Sequence, residues 1–315
     1  MNLTTMDYFL ALAEERSFTK AAEKLNITQQ TLSANIANLE KQLDVKLVER
    51  SVPLQLTFAG EVFLGYAKRF QAEKRSLIQD FLDISGNEKG RLKVGVAATR
   101  GHIIMPSVIA EFQQDHPGIA VDLHEAENAE LVEMLKSGSL DMIVAHVAQK
   151  QPSLVVKELY KDEVLLLASK KMLIDLYGDR AHDSANMVEK TGNLTYVSKC
   201  PFMLVGKRDV TGDIARQTFE RSNIRPEIRV LSTNAETLAS LAEHGVGACF
   251  SPGELVAFAY KDKNAGLRVI HLGKQAFYSV HAAWRRSEHT WSMIEEFVEI
   301  LDRQLSDTRV DQMYI

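Results

Sequence analysis

Residues 17 to 40 constrain this chain more than any other stretch: Ser-Phe-Thr-Lys-Ala-Ala-Glu-Lys-Leu-Asn-Ile-Thr-Gln-Gln-Thr-Leu-Ser-Ala-Asn-Ile-Ala-Asn-Leu-Glu. Ser17 is an N-cap residue, and it predicts a helix over Phe18 to Leu25 in which Ala21 and Ala22 permit close packing. Asn26-Ile27 makes a turn, and Thr28 caps a second helix from Gln29 to Leu43. Leu32, Ile36, Leu39 and Leu43 recur at helical spacing and face a core. Thr31, Ser33, Ala34 and Asn35 then fall on other faces. Small polar side chains outward, with Leu and Ile inward, suit contact with base edges. A preceding helix over Thr5 to Glu15, with Phe9, Leu10, Leu12 and Ala13 inward, completes a compact unit.

The residues beyond this unit fix the organisation. Val45 to Thr57 predicts a short two-stranded wing with Pro53 at its tip. Phe58 to Ser85 is a long helical pattern without Pro, striped by Val62, Phe63, Tyr66, Phe70, Leu77 and Phe81. One helix cannot bury such a stripe within itself, so it predicts pairing with a second copy. Gly86-Asn87-Glu88-Lys89-Gly90 is a polar hinge. Beyond it strands alternate with helices. Strands are predicted at Leu92–Ala97, Ala120–Leu123, Asp141–Ala145, Val164–Ala168, Phe202–Val205, Ile228–Leu231 and Ala248–Phe250. One helix is expected from the first strand to His116, and another over Asn128–Lys136. This is a doubly wound α/β pattern, and two such lobes joined by crossovers leave a cleft where ligands bind. The expected domains are a winged helix-turn-helix (1–58), a linker and dimerisation helix (59–86), a hinge (87–90) and a two-lobed α/β domain (91–315). Its lobe I takes about 91–161 and 268–315, and lobe II about 162–267.

Composition narrows the function. No apolar run approaches the roughly 18 residues that span a bilayer. The N-terminal residues lack a basic start followed by an apolar core, so no secretory signal is expected. Cys200 and Cys249 make at most one bridge and no zinc pattern, which fits a reducing cytoplasm. Cys249 lies in an apolar strand and reads as core; Cys200 before Pro201 stays undecided. The net charge is −5. Residues 1–50 hold six bases and seven acids, so one copy of the module binds DNA weakly unless several act together. Catalysis finds little support: there is no G-x-S-x-G, no H-E-x-x-H and no phosphate-binding loop. Gly245-Val246-Gly247 follows a helix and precedes a strand, the reverse of a dinucleotide loop, and reads as a C-cap. No cofactor or metal is expected.

The run Tyr8-Phe9 … Ser17-Phe18-Thr19-Lys20-Ala21-Ala22 … Leu25 … Thr28-Gln29 … Ser33 … Ile36 … Leu39-Glu40 … Leu43 … Leu47 … Glu49-Arg50 … Leu56-Thr57 … Ala59-Gly60 strongly resembles the LysR family of bacterial transcription regulators. The resemblance is specific over residues 1–65 and looser to the C-terminus. It implies double-stranded promoter DNA as partner, contacted by Thr28, Gln29, Gln30, Thr31 and Ser33 of the recognition helix, with Arg50 on the backbone beside the wing. Gln29 and Gln30 are the expected base readers, since a Gln amide can pair with adenine N6 and N7. Four departures stand out: Ala34 and Gln30 where relatives commonly carry Arg and Pro, Asp44 where Gly is usual, and a Ser51-Val52-Pro53 wing without its arginine.

The same resemblance implies a small-molecule effector between the lobes and places an effector-contacting Ser or Thr at Thr99. The free amides and hydroxyl there suit an anionic metabolite. Arg100 either joins that anion or is a solvated surface charge. Asn128, His146, Phe202 and Thr233 have family counterparts that line the pocket, and each is about as well read as structural. For His146 a satisfied, half-buried ring is the rival. A homodimer through the linker helix, a homotetramer and RNA polymerase are the further partners implied. The alternatives are an effector-independent repressor, or an enzyme or solute-binding α/β domain fused to a DNA anchor.

Overall fold

The chain, described from a computed structural model, is seen over residues 2–51, 53–86, 89–147, 151–206, 209–260 and 266–312. Its N-terminal unit comprises α1 (Leu3–Glu15), α2 (Phe18–Lys24), α3 (Gln29–Leu43), β1 (Val48–Glu49), β2 (Gln55–Leu56) and the start of α4 (Phe58–Ile84). Capping sets these boundaries. Asn2 Oδ1 accepts from Thr5 N–H at 2.9 Å, so α1 begins two residues before the expected start. Ser17, Thr28 and Thr57 cap α2, α3 and α4. Asp44 closes α3 at φ 52°, a left-handed conformation that Asp tolerates and that Gly adopts without strain.

The core of this unit gathers Phe9, Leu12, Ala21, Ala22, Leu32, Ile36, Leu39 and Leu47. Two expectations need correction. Leu43 is exposed, because the chain turns away at Asp44 directly after it. Phe63 is not on the outward stripe of α4 but buried edge-on against Phe9, with ring centroids 4.9 Å apart. The other five stripe residues are exposed, together with Phe58, Ile78 and Ile84. Glu40 is buried and ties the wing to α3, accepting from Leu47 N–H (2.8 Å), Val48 N–H (3.3 Å) and Lys46 Nζ (2.9 Å). Of the expected hinge, Asn87 and Glu88 lie outside the described residues, as does Val52 of the wing.

The remainder of the chain runs through β3 (Gly90–Val96), α5 (Ala98–Ile103), α6 (Met105–Asp115), β4 (Ile119–Glu125), α7 (Asn128–Lys136), β5 (Met142–Ala145) and β6 (Leu154–Ser169). Then come α8 (Lys170–Tyr177), α9 (Ala181–Thr191), β7 (Phe202–Val205), α10 (Val210–Arg221), β8 (Ile228–Ser232), α11 (Ala235–Glu243) and β9 (Ala248–Pro252). The last elements are α12 (Gly253–Tyr260), β10 (Leu267–Ile270), β11 (Phe277–Arg285) and α13 (Ser292–Gln312). The single helix expected after β3 is two, because Pro106 sits in the first turn of α6 and a new helix starts there.

The strands run β4-β3-β5-β11-β6-β9-β7-β8, with β10 beside β6. β3 pairs in parallel with β4 and β5, and β7 with β8 and β9. β11 and β6 are antiparallel to their neighbours, so the sheet is mixed. β6 serves both lobes: Leu154–Glu163 pairs β11 in lobe I, and Val164–Ser169 pairs β9 and β10 in lobe II. β10 therefore stays with lobe II through Ile270, past the expected return at 268. The second half of α4 lies against lobe I. There Asp83 accepts from Ser292 N–H (3.2 Å) and Oγ (2.6 Å), and Gln79 Nε2 donates to the Arg91 carbonyl (3.1 Å).

Candidate functional site

Two sites emerge, one in the winged unit and one between the lobes. In the first, Thr28 Oγ1 accepts from Thr31 N–H at 3.1 Å and lies 2.8 Å from Thr31 Oγ1, so this pair defines the start of α3. Gln29, Gln30 and Thr31 are exposed on that first turn. Arg50 leans back from the wing. Its NH2 reaches Ser33 Oγ at 3.3 Å, and its guanidinium lies 5.4 Å from the Phe18 ring centroid. Ser33, half-buried, is thus engaged with Arg50, which joins the wing to α3. The Glu40 carboxyl is pushed up by burial. The bonds from Lys46, Leu47 and Val48 outweigh that and hold it below the ordinary carboxylate range.

At the second site, a chamber of about 80 Å³ is lined by Thr99, Arg100 and Asn128 of lobe I and by Asp209, Thr211 and Thr233 of lobe II, among others. A larger chamber of about 620 Å³ is lined by His146, Gln151, Gln217 and Gln275, and shares Asn128, Val210 and Tyr278 with the first. Four of the six predicted effector residues thus meet in the small chamber, and His146 lines the large one. Phe202 does not join them. It is 0% exposed, with its ring 4.9 Å from that of Phe219 and 6.4 Å from that of Phe250, inside the lobe II core.

Arg100 also departs from expectation. It is 3% exposed, so the solvated reading falls. Its Nε donates to Tyr160 Oη (3.2 Å) and its NH2 to Tyr278 Oη (2.6 Å), with Asp162 and Glu254 carboxylates each 3.6 Å away. The phenols in turn donate to Glu254 (2.6 Å) and Asp162 (2.7 Å). Burial opposes the charge on Arg100, but these four neighbours keep its pKa above the ordinary value. Burial raises both phenols well above theirs, so each remains a donor. The guanidinium expected to meet an anion is already matched. Sequence reasoning misses Tyr160, Asp162, Tyr278 and Glu254. The one available signal is the alternation of Tyr160 and Asp162, which puts both on the same face of β6.

Asn128 is buried, and its Oδ1 accepts from His146 N–H at 2.9 Å. His146 Nδ1 lies 2.9 Å from the Ser279 carbonyl, which only accepts, so the ring proton sits on Nδ1. One nitrogen of His146 is thus satisfied within the protein, and the ring lines the larger chamber. Burial, then the nearby His146, lowers the pKa of His281. The two thiols are buried, and burial pushes Cys200 up to about 11 and Cys249 to about 12, which opposes a reactive thiolate at either.

Among the described residues no group of three or more His, Cys, Asp and Glu could hold a metal ion. No helix of the described residues is long and apolar enough to cross a membrane.

Comparison with known proteins agrees with both halves. The bacterial regulatory helix-turn-helix protein, lysR family, model matches residues 3–61, and the LysR substrate binding domain model matches residues 85–306. The HTH-type transcriptional regulator YybE of Bacillus subtilis (strain 168) is 28% identical over 254 residues, covering 80% of this chain and 82% of that protein. Full-length OxyR from Pseudomonas aeruginosa superposes with a TM-score of 0.67 at 21% identity, over 97% of this chain and 94% of its own. Full-length CbnR complexed with its target DNA gives 0.64 at 22% identity, over 96% and 99%. With family models matched across both halves, the chain belongs to the LysR family and is a DNA-binding transcriptional regulator that carries that family's effector-binding domain.

Proposed function

We propose that this regulator reads promoter DNA through Thr28, Gln29, Gln30, Thr31 and Ser33, with Arg50 beside the wing on the phosphate backbone, and answers to a small molecule held between its lobes. The observation that carries the reading is the exposed first turn of α3, where two adjacent Gln amides stand beside a capped helix start. The DNA-binding unit takes residues 1–58, the linker helix 59–86, the hinge 87–90 and the effector domain 91–315. Five residues of the α4 stripe stay exposed, which supports a homodimer through that helix. A homotetramer gripping separated sites supplies the avidity that a near-neutral module needs. The cytoplasm, where the DNA and RNA polymerase are, is the proposed location.

The effector is drawn by its lining: the hydroxyls of Thr99, Thr211 and Thr233, the Asn128 amide and the His146 ring suit a small hydrogen-bonding molecule. Arg100 adds nothing to the expectation of an anion, because that guanidinium is matched within the protein, and the expectation rests on the Thr99 hydroxyl and the amides beside it. The cleft binds rather than converts its ligand. The test is retention of genomic fragments by the purified full-length protein, then footprinting of the retained DNA. Discrete protected sites support the reading; uniform weak retention with no protected site overturns it. A thermal-shift panel of carboxylates, neutral amides and amines then sorts the effector, and stabilisation by none of them favours an effector-independent repressor.

A further inference from the structure

The contact between the linker helix and lobe I is centred on Arg75. Its NH2 donates to the Gly138 carbonyl (2.7 Å) and to Asp141 Oδ1 (2.9 Å). Asp141 is buried, and its second oxygen accepts from Lys93 N–H at 2.9 Å, which fixes the carboxylate to β3. Arg285 of β11 closes the same corner, donating to the Leu140 carbonyl (2.9 Å) and to Ser76 Oγ (3.1 Å). The helix passes so close that a Cβ on Gly138 would lie 2.0 Å from the Ala72 methyl.

The loop that receives Arg75 is the C-terminal exit of α7. The first residue of that helix, Asn128, lines both cleft chambers. Nine residues at the helical rise make a rod of about 13 Å with the cleft at one end and the linker helix at the other. Leu131, Leu135 and Leu140 seat this rod on a hydrophobic cluster of its own, apart from the main core. At Gly95 of β3 a methyl group would meet Leu140 at 2.4 Å and Leu131 at 2.8 Å, so the rod rests on bare strand backbone. A contact this tight passes displacement along instead of absorbing it.

Arg75 also holds a reason to move. Its Nε is buried without a hydrogen-bond acceptor among the described residues. An unpaired buried donor is costly, so any shift of Gly138 or Asp141 that offers Nε an oxygen gains a bond. A second arrangement of the joint that pairs this donor is what coupling between the sites requires.

We propose that α7 is the relay that carries occupation of the cleft to the linker helix, and that Arg75 is the positioning residue that reads its displacement. The proposal rests on the cleft being the effector site, but its test needs no ligand. Both tryptophans of the chain, Trp284 and Trp291, line the crevice beside Arg285, so intrinsic emission reports on the joint. In the full-length protein, Asn128→Ala loosens the rod at its cleft end. The expected result is a shift in tryptophan emission and faster hydrogen exchange at the Gly138 to Asp141 amides. In the Arg75→Gln background the emission shift is lost. Thr233→Ala, a cleft variant off the rod, leaves emission unchanged. Gly95→Ala, which pushes the rod from beneath, is scored in the same way should Asn128→Ala not fold. A shift that survives Arg75→Gln, one that Thr233→Ala reproduces, or none from either rod variant overturns the relay. Failure of the effector reading appears elsewhere, as the absence of any stabilising ligand, and leaves the emission result standing.

Discussion

A guanidinium with two carboxylates and two phenols around it, sealed from water, is held by the match of its partners and not by its charge alone. Arg100→Met removes the cation but leaves the buried Asp162 and the part-buried Glu254 without it. Breaking a buried ion pair from one side costs about 3–5 kcal/mol, and chemical denaturation of the full-length protein should show a loss of that order. A loss under about 1 kcal/mol, the scale of a surface pair, would mean the network is wetter than its burial indicates. At the other site, Gln29→Ala should weaken specific binding by about 1–3 kcal/mol and spare binding to random DNA. Equal losses on both, measured by titration at one salt concentration, would assign Gln29 to the backbone. The two residues also differ in legibility. Gln29 owes its exposure to the local helix face, visible in the neighbouring residues. Arg100 owes its burial to Tyr160 and Tyr278, which lie 60 and 178 positions away, and no local pattern announces such partners.

Elements with local signals are legible in the sequence and those with distant ones are not. The α3 boundaries follow from Thr28 and the Leu/Ile spacing, and α7 and β7 likewise match their apolar patterns. The sequence pattern shows β6 only from Val164, because the polar run Lys161-Asp162-Glu163 interrupts it as the strand crosses between lobes. β11 escapes it altogether: His281, Trp284 and Arg285 mask an alternation that only pairing with β5 and β6 reveals. Within the winged unit the pin is Glu40, and it titrates. Its folded-state pKa is depressed, so its contribution is present above the ordinary Glu value of about 4.3 and is lost as pH falls through the lower folded value. Glu40→Gln should therefore flatten the acid limb of a stability–pH curve for the N-terminal unit, tracked by circular dichroism; an unchanged limb would take the pin away. On the linker helix, Phe70→Glu places a charge in the exposed stripe and should convert dimer to monomer in sedimentation at micromolar concentration. A dimer of unaltered strength would move the interface to another face.

For the whole molecule, weak modules and strong assembly go together. Six bases against seven acids over residues 1–50 leave each copy little phosphate affinity, so Phe70→Glu should also weaken operator binding far more than Gln29→Ala does. Retained affinity in the monomer, by gel shift, would show that a single copy suffices. The manner of joining the lobes sets a further limit. Of the two passages between them, the first is β6, a continuous strand, and the second leads into β11, which lies hydrogen-bonded along it. A ladder of this kind resists stretching and shearing but twists readily about its own length. Any closure about that ladder would displace the axis, where Arg100 sits, least and the rim most, so a ligand gripped at the outer lips of the cleft would have more leverage than one lodged at its root.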